Sequence, residues 1–292
     1  ACTCGLQWLY QSIEDDYPAY YASGEYRLKH SEIPGKVLTP EERFAQHRPA
    51  MEARRDEVVW QPDWHVLEVG CSSGYFLDSL SEILPKSQLA GIEPNPAEAR
   101  YANEVCRQAG AVVACIESVP AESFDVVCSF QVLEHVPDPL AFLLEFKRVL
   151  KPGGHIYLGV PNLDEALLSV YKIPEFADFS YRKPHLWYVN KDTLTALLAR
   201  AGFEGETWTA QRMSLFNHIH WLQNKKPQGS YLEAQGSLPV EVGFNPQSTS
   251  VEGMLWGFDQ DYRHRLNAYG LGDSLRFWGG LKDGNTNGNA RE

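Results

Sequence analysis

The chain has 292 residues, 43% of them apolar and 12% aromatic, with a formal net charge of -12. That is room for one large domain with additions, or two modest ones, and ample side chain for a buried core. The acidic balance repels phosphate backbones and argues against generic nucleic-acid binding; no apolar run approaches the roughly 20 residues that span a bilayer.

Six cysteines are scattered through the chain. Cys71, Cys106, Cys115 and Cys128 lie in or beside apolar segments and read as small buried hydrophobes. With no disulfide-like spacing and no basic-then-apolar leader, a reducing, cytoplasmic setting is expected. Cys2 and Cys4, in ACTCGL, look like one half of a zinc knuckle. A structural zinc site needs about four ligands, and no second cysteine pair lies nearby.

Residues 1–40 are aromatic, polar and weakly periodic, and 41–57 (EERFAQHRPAMEARRDE) read as a solvated helix. The rhythm then becomes regular. HVLEV (65–69) reads as a strand, and Phe76, Leu77, Leu80, Ile83 and Leu84 recur at helical spacing after it. QLAGIE (88–93) is a second strand. Asn95-Pro96-Ala97-Glu98 starts a helix, with Asn95 as cap and Glu98 reaching back to it; Gly110 ends it. VVACI (112–116) and FDVVCSF (124–130) are the third and fourth strands. Asp138-Pro139 caps a helix that KPGG (151–154) ends, and HIYLGV (155–160) is the fifth strand. NKDTLTALLARAGF (190–203) is a further helix. Beyond 204 the pattern decays: GETWTAQ (205–211) fits one more strand, SLFNHIHWLQ (214–223) fits strand or helix, 226–250 reads as loop, DSLRFWG (273–279) is apolar enough to dock, and 282–292 has a disordered composition.

Alternating strands and helices, with strands apolar on both faces, predict an α/β fold with a parallel sheet covered on both sides. Only residues 116–123 connect the third and fourth strands. Eight extended residues reach about 26 Å, enough to cross three strand positions without a helix.

The stretch VLEVGCSSGYFL (66–77) places a glycine turn between first strand and first helix, where unpaired N–H groups and a partial positive charge suit an anionic ligand. A dinucleotide fingerprint would need glycine at 70, 72 and 75; the chain has Gly70, Ser72 and Tyr75. No Gly-Lys-Ser/Thr follows, so a phosphate-binding loop is excluded as well. Glu68, two residues before Gly70, can face an ammonium group, and Glu93, at the end of the second strand, suits paired ribose hydroxyls. An amino acid, a ribose and a base together describe S-adenosylmethionine.

VLEVGCSSG, GIEPNP, FDVVCSFQVLEHVPDP and LKPGGHIYLGVPN, in that order over about residues 60–204, resemble the motifs of class I S-adenosylmethionine-dependent methyltransferases. PHLWYVNKDTLTALLARAGFE resembles the closing segment of the methyltransferase type 11/23 group, and CGLQWL…YYASGEY (4–26) its N-terminal lead-in. NHIHWLQNKKP is similar to members that modify sugars and surface glycans. The resemblance implies a Rossmann-like, doubly wound, mostly parallel seven-stranded sheet with N- and C-terminal additions. The division expected is a lead-in (1–57), a methyltransferase domain (58–212) with a substrate-cleft insert (161–189), a C-terminal extension (213–281) and a tail (282–292).

By the same resemblance, Glu68, Gly70 and Gly74, with backbone from Cys71 and Ser72, bind the methionine end of S-adenosylmethionine. Glu93 takes the ribose hydroxyls, flanked by Pro94 and Asn95. Glu117 and Ser118 lie by the adenine, and Phe130 and Gln131 line the sulfonium side. Methyl transfer is an in-line displacement helped by alignment, and an oxygen nucleophile usually needs a base. His135, after the fourth strand, and His185, in the insert, are the candidates for that base; either could equally be structural. Tyr20, Tyr21, Tyr26, Trp187 and Tyr188 are candidates for lining the acceptor cleft. Ubiquinone-pathway O-methyltransferases of similar appearance carry an extra glutamate associated with a divalent metal; Gln131 stands in that neighbourhood here, so no catalytic metal is expected. His218 and His220 read as structural. The expected reaction is O-methylation of a sugar, nucleotide sugar or glycan by a monomer or homodimer. A lipid, quinone or polyketide-like acceptor is the first alternative and a non-catalytic scaffold the second.

Overall fold

The computed structural model describes residues 7–8, 23, 37–105, 112–113, 115–181, 185–229, 231–236 and 251–282. Cys2, Cys4, Tyr20, Tyr21, Tyr26, Cys106 and the tail beyond 282 lie outside the described residues. A short strand β1 (Gln7–Trp8) enters the description only through its antiparallel pairing with Trp187–Tyr188.

Helix α1 (Pro40–His47) starts at a capping box, in which Thr39 accepts from the Glu42 N–H and Glu42 reaches back to the Thr39 N–H. A 3₁₀ turn (Arg48–Ala50) separates it from α2 (Met51–Arg55). The reading of 41–57 as a solvated helix is corrected here. Arg43, Gln46, Met51, Arg54 and Arg55 are buried. Their charges face carboxylates on neighbouring elements rather than water: Arg43 meets Glu98 at 3.1 Å, Arg48 meets Asp78 at 2.6 Å, and Arg55 meets Glu82 at 2.7 Å.

The alternation expected from the sequence follows. Strand β2 (Val66–Val69) leads into α3 (Tyr75–Leu80), β3 (Leu89–Ile92) into α4 (Pro96–Val105), and β4 (Val112–Val113) through a 3₁₀ turn (Ile116–Ser118) into β5 (Phe124–Phe130). Helix α5 (Pro139–Val149), capped by Asp138, runs into β6 (Leu150–Pro161). Asn95 caps α4 through the Glu98 N–H, and the Glu98 carboxylate meets Arg43 and the Ser72 hydroxyl (3.5 Å).

The insert carries α6 (Ala166–Ser169), α7 (Pro174–Ser180) and β7 (Trp187–Tyr188). After it come α8 (Lys191–Ala201), β8 (Phe203–Ala210), α9 (Leu215–Asn224), α10 (Tyr231–Gln235), α11 (Val251–Ala268) and β9 (Ser274–Leu281). The ambiguous stretch 214–223 is therefore helical. The expected loop 226–250 contains α10, and α11 was not anticipated.

The sheet has seven strands in the order β4-β3-β2-β5-β6-β9-β8. The first five are parallel; β9 runs antiparallel between β6 and β8. β4 and β5 are three places apart, and no α-helix occupies the link, as the reach of the chain predicted. One face is packed by Leu143, Phe146, Leu194 and Leu198 from α5 and α8, and the other by Met51, Phe76, Leu77 and Leu80 from α2 and α3. Among the described residues no helix is long and apolar enough to cross a membrane.

Candidate cofactor and acceptor site

The carboxyl ends of β2, β3 and β5 converge on the glycine turn. Gly70 adopts φ +81°, and a Cβ there would lie 2.4 Å from Val132 Cγ2, so conformation and space both require glycine. Gly74, also at φ +81°, opens α3. Ser72 stands at φ +49°, a left-handed conformation uncommon outside glycine. The N–H groups of Gly70 and Cys71 both donate to Ile92 O (2.8 and 3.0 Å), and the Cys71 thiol packs toward Gly91. The Ser72 N–H donates to Glu93 Oε2 (3.0 Å). The backbone expected from Cys71 and Ser72 thus already serves the turn itself.

Glu93 also accepts from the Asn95 N–H at 2.8 Å, which fixes its carboxylate beside the turn. An ionised carboxylate has about four lone-pair sites and can accept from ribose hydroxyls as well as from the backbone. Pro94 is half-buried and Asn95 buried at the start of α4. Glu117 and Ser118 lie exposed on the 3₁₀ turn after β4, at the same edge of the sheet, with the Ser118 hydroxyl donating to Cys115 O.

Glu68 is 2% exposed, and its Oε2 has no hydrogen-bond partner among the described residues. Its pKa is pushed up to about 8, first by burial, against the pull of Arg54 and with the repulsion of Glu93 added. Gln131 continues β5 in a left-handed conformation (φ +57°), and its Nε2 is likewise buried without a partner. Phe130 is held edge-on by Phe76 (4.9 Å) and Tyr157 (5.0 Å). An unpaired buried acceptor before a glycine turn and a carboxylate after β3 fit the ammonium and ribose ends of S-adenosylmethionine, whereas the Gln131 Nε2 is a donor and does not match the cationic sulfonium.

His135 and His185, fifty residues apart in sequence, are brought together. Their ring centroids are 4.8 Å apart and edge to face. The Leu186 N–H donates to Glu134 O (2.7 Å), which pins the insert onto the turn after β5. Glu134 lies beside them, 4% exposed, with Oε1 3.8 Å from His135 Nε2. The sequence reading did not single out Glu134; its place beside His135 was the available signal. The three donor groups lie within 4.8 Å of one another and have the composition of a divalent-cation site. The expectation of no metal rested on Gln131 alone and took no account of His185 as a third donor.

Trp187 and Tyr188 form the short strand β7 of the insert, and Trp187 lines the small cavity beside Glu134. Trp187 Nε1 donates to Val136 O (2.8 Å), and the buried Tyr188 donates to Ser180 O (3.3 Å) and packs on Tyr181. Their polar tips are spent on protein carbonyls, so they brace the roof. A cavity of about 10 Å³ beside Glu134 and Trp187 has room for about one water and none for an acceptor. His218 is structural as expected: its Nδ1 lies 2.7 Å from the Tyr262 hydroxyl, its Nε2 3.2 Å from Gln211, and burial lowers its pKa to about 4.

A sequence profile described as a methyltransferase domain matches residues 37–207. Over 164 residues the chain is 34% identical to a probable S-adenosylmethionine-dependent methyltransferase of Mycolicibacterium smegmatis, covering 52% of this chain and 59% of that protein. Over 112 residues it is 34% identical to the ubiquinone biosynthesis O-methyltransferase of Xanthomonas oryzae pv. oryzae, covering 36% of this chain and 46% of that protein. The chain spans about half the length of the curated relatives it matches. Among solved structures, a SAM-dependent methyltransferase from Archaeoglobus fulgidus superposes with a TM-score of 0.51 at 19% identity, over 82% of this chain and 97% of that one, a likeness of fold.

Proposed function

We propose an acceptor on the premise that the chain belongs to the methyltransferase-domain family and is an S-adenosylmethionine-dependent methyltransferase: it methylates a hydroxyl of a small molecule, a sugar, nucleotide sugar or glycan. The observation that carries this reading is the meeting of His135 and His185 beside Glu134, at the carboxyl end of β5 and under the insert. Bound S-adenosylmethionine supplies an electrophilic methyl group on its sulfonium.

The chain's own residues do the rest. Glu68 and Glu93 fix the two ends of the cofactor, and the Phe130 ring faces the sulfonium. One imidazole of the His135–His185 pair takes the hydroxyl proton as the oxygen attacks, while the Glu134 carboxylate stabilises the imidazolium that forms. Exposed aromatic faces of the insert, Tyr171, Phe179 and Tyr181, support a carbohydrate acceptor, since rings of this kind stack on sugar faces. Among the described residues Cys71, Cys115 and Cys128 form no disulfide, which supports the reducing, cytoplasmic setting. Labelled-methyl transfer across nucleotide sugars, glycans and phenols tests the acceptor. Labelled sugar product supports the reading; label confined to phenols assigns the chain to a quinone-type acceptor instead.

A further inference from the structure

Four buried polar atoms that lack a hydrogen-bond partner among the described residues gather around the end of β5: Arg54 Nε, Arg276 Nε, Gln131 Nε2 and Glu68 Oε2. Folded proteins leave few such atoms unpaired, and a cluster of them marks a place that a polar ligand completes. One is an acceptor and three are donors. The cofactor's ammonium satisfies the acceptor, Glu68. The donors call for an anion.

Two of these donors belong to guanidinium groups over one ring. Arg54 Cζ lies 4.6 Å from the Phe130 centroid and Arg276 Cζ 6.0 Å from it. Arg54 is 8% exposed and Arg276 2%. A guanidinium has five N–H donors. The hydrogen bonds these two make are one from Arg54 Nη1 to Met51 Sδ (3.6 Å) and one from Arg276 Nη1 to Leu275 O (3.4 Å). Glu57 Oε2 lies 3.3 Å from Arg276 Nε at an angle too poor for a hydrogen bond, and it already accepts from the Tyr157 hydroxyl at 2.6 Å. Glu57 faces Arg276 and Glu68 faces Arg54, yet both guanidinium Nε–H donors stay unpaired, which is costly unless a ligand acceptor completes the site.

Position separates the two anions that such a site could hold. Arg54 interacts electrostatically with Glu68 and is near the methionine end. Arg276 lies on β9, and its guanidinium presses on Gly159 of β6, where a Cβ would meet Nη1 at 2.7 Å. Gly159 is two strands from β2, about 10 Å at the usual strand spacing. That offset sets Arg276 on the far side of Phe130 from β2, while Arg54 is the guanidinium coupled to Glu68. Arg276 therefore faces the acceptor side.

We propose that Arg54 and Arg276 grip an oxyanion of the acceptor, a phosphate or carboxylate group, above the Phe130 ring. The inference rests on the sugar reading and narrows it to phosphorylated or acidic sugars. It is tested by calorimetry on the full chain saturated with S-adenosylhomocysteine, titrating glucose 1-phosphate, UDP-glucose, glucose and inorganic pyrophosphate. Charged sugars should bind at least 30-fold more tightly than glucose, and Arg276→Gln should remove about 30-fold or more of that preference. Arg276→Lys should restore part of it, and S-adenosylhomocysteine affinity should stay within about twofold in both variants, since the cofactor is held elsewhere.

Binding of pyrophosphate without any sugar keeps the anion site and removes the sugar reading. Equal binding of charged and neutral sugars overturns the proposal, as does silence from all four probes. Loss of S-adenosylhomocysteine binding in a folded Arg276→Gln, with anion binding kept, also overturns it, because the anion would then be the cofactor's own carboxylate. Where Arg276→Gln does not fold, the wild-type comparison and Arg276→Lys, which should keep only part of the charge preference, decide by the same criteria.

Discussion

The Glu68 carboxyl is buried where its charge is disfavoured, with a pKa pushed up to about 8 chiefly by burial. An unfolded glutamate titrates near its ordinary value of about 4.3. The folded state therefore holds this proton more tightly than the unfolded state. The stability it contributes is complete below the unfolded value and is lost as pH rises toward about 8, at roughly 1.4 kcal/mol per pH unit. Denaturant titrations at pH 6 and pH 8 should show this loss in the wild type, smaller by about 2–3 kcal/mol in Glu68→Gln. Glu165, which also rises to about 8, contributes a similar slope to both proteins and cancels in the comparison. The same substitution should weaken S-adenosylhomocysteine binding by about 10–100-fold, because it removes a charge-assisted contact to an ammonium. Below pH 8 the wild type should release a proton on binding, read as a calorimetric enthalpy that varies with buffer. A buffer-independent enthalpy with unchanged affinity in Glu68→Gln would remove Glu68 from the cofactor site. The histidine pair separates in a different readout: His135→Ala or His185→Ala should lower kcat by about 100-fold or more for the one that serves as base, with cofactor affinity intact. Activity that survives exhaustive chelation keeps the pair in its acid–base role. Loss on chelation with recovery on adding zinc or magnesium would make Glu134, His135 and His185 metal ligands.

At the scale of elements, the glycine turn is a steric arrangement as much as a binding one. Gly70→Ala asks for φ +81° with a side chain and drives a methyl group into Val132 Cγ2. It should destabilise the fold by about 1–3 kcal/mol and weaken cofactor binding. Val132→Ala in the same chain should recover the part due to contact and leave the part due to φ, as thermal melts of the two variants will show. This turn was legible in the sequence because every constraint on it is local: a strand ending in Glu68, glycines at 70 and 74, a helical apolar pattern afterwards. Strands β2, β3, β5 and β6 and helices α4, α5 and α8 were legible for the same reason. β9 was read only as a docking segment, because its place between β6 and β8 is set by pairings with residues far from it in sequence, Tyr157 with Trp278 and Glu206 with Trp278 among them. Arg54 was hidden in a charged run that reads as solvated. Arg276 had a signal, a lone arginine in the apolar run DSLRFWG, but its meaning depends on Phe130 and Gly159 beneath it.

At the scale of the molecule, β9 is built into the sheet between β6 and β8, and helices α9, α10 and α11 are fastened to the carboxyl edge of the sheet by buried charge. Asp259, fully buried, accepts from the Leu215 N–H (2.6 Å) and from Arg263 Nε (2.8 Å). Arg263 in turn donates to Arg212 O (2.6 Å) and Gln235 O (2.5 Å), tying α9, α10 and α11 to the end of β8. Asp273 completes the tie by accepting from Arg212 Nε and from the Arg212 and Met213 N–H groups, all at 2.8 Å. Those three donors keep the Asp273 carboxylate charged despite burial, and its pKa is lowered. These ties are distinct from the hydrogen bonds that hold the glycine turn, so fastening and cofactor binding should separate experimentally. Asp259→Ala leaves the Arg263 cation without its carboxylate in a mostly buried place, and breaking such a pair costs roughly 3–5 kcal/mol, less here because Arg263 is partly exposed. Hydrogen exchange should then show lost protection across 211–224 and 251–268, with β2, β5 and β6 still protected and S-adenosylhomocysteine affinity unchanged. Methyl transfer should fall, because the extension flanks the acceptor side on which Arg276 lies. If exchange instead rises equally in every strand, the extension and the sheet unfold as one cooperative unit, and Asp259 holds the whole molecule rather than the acceptor side alone.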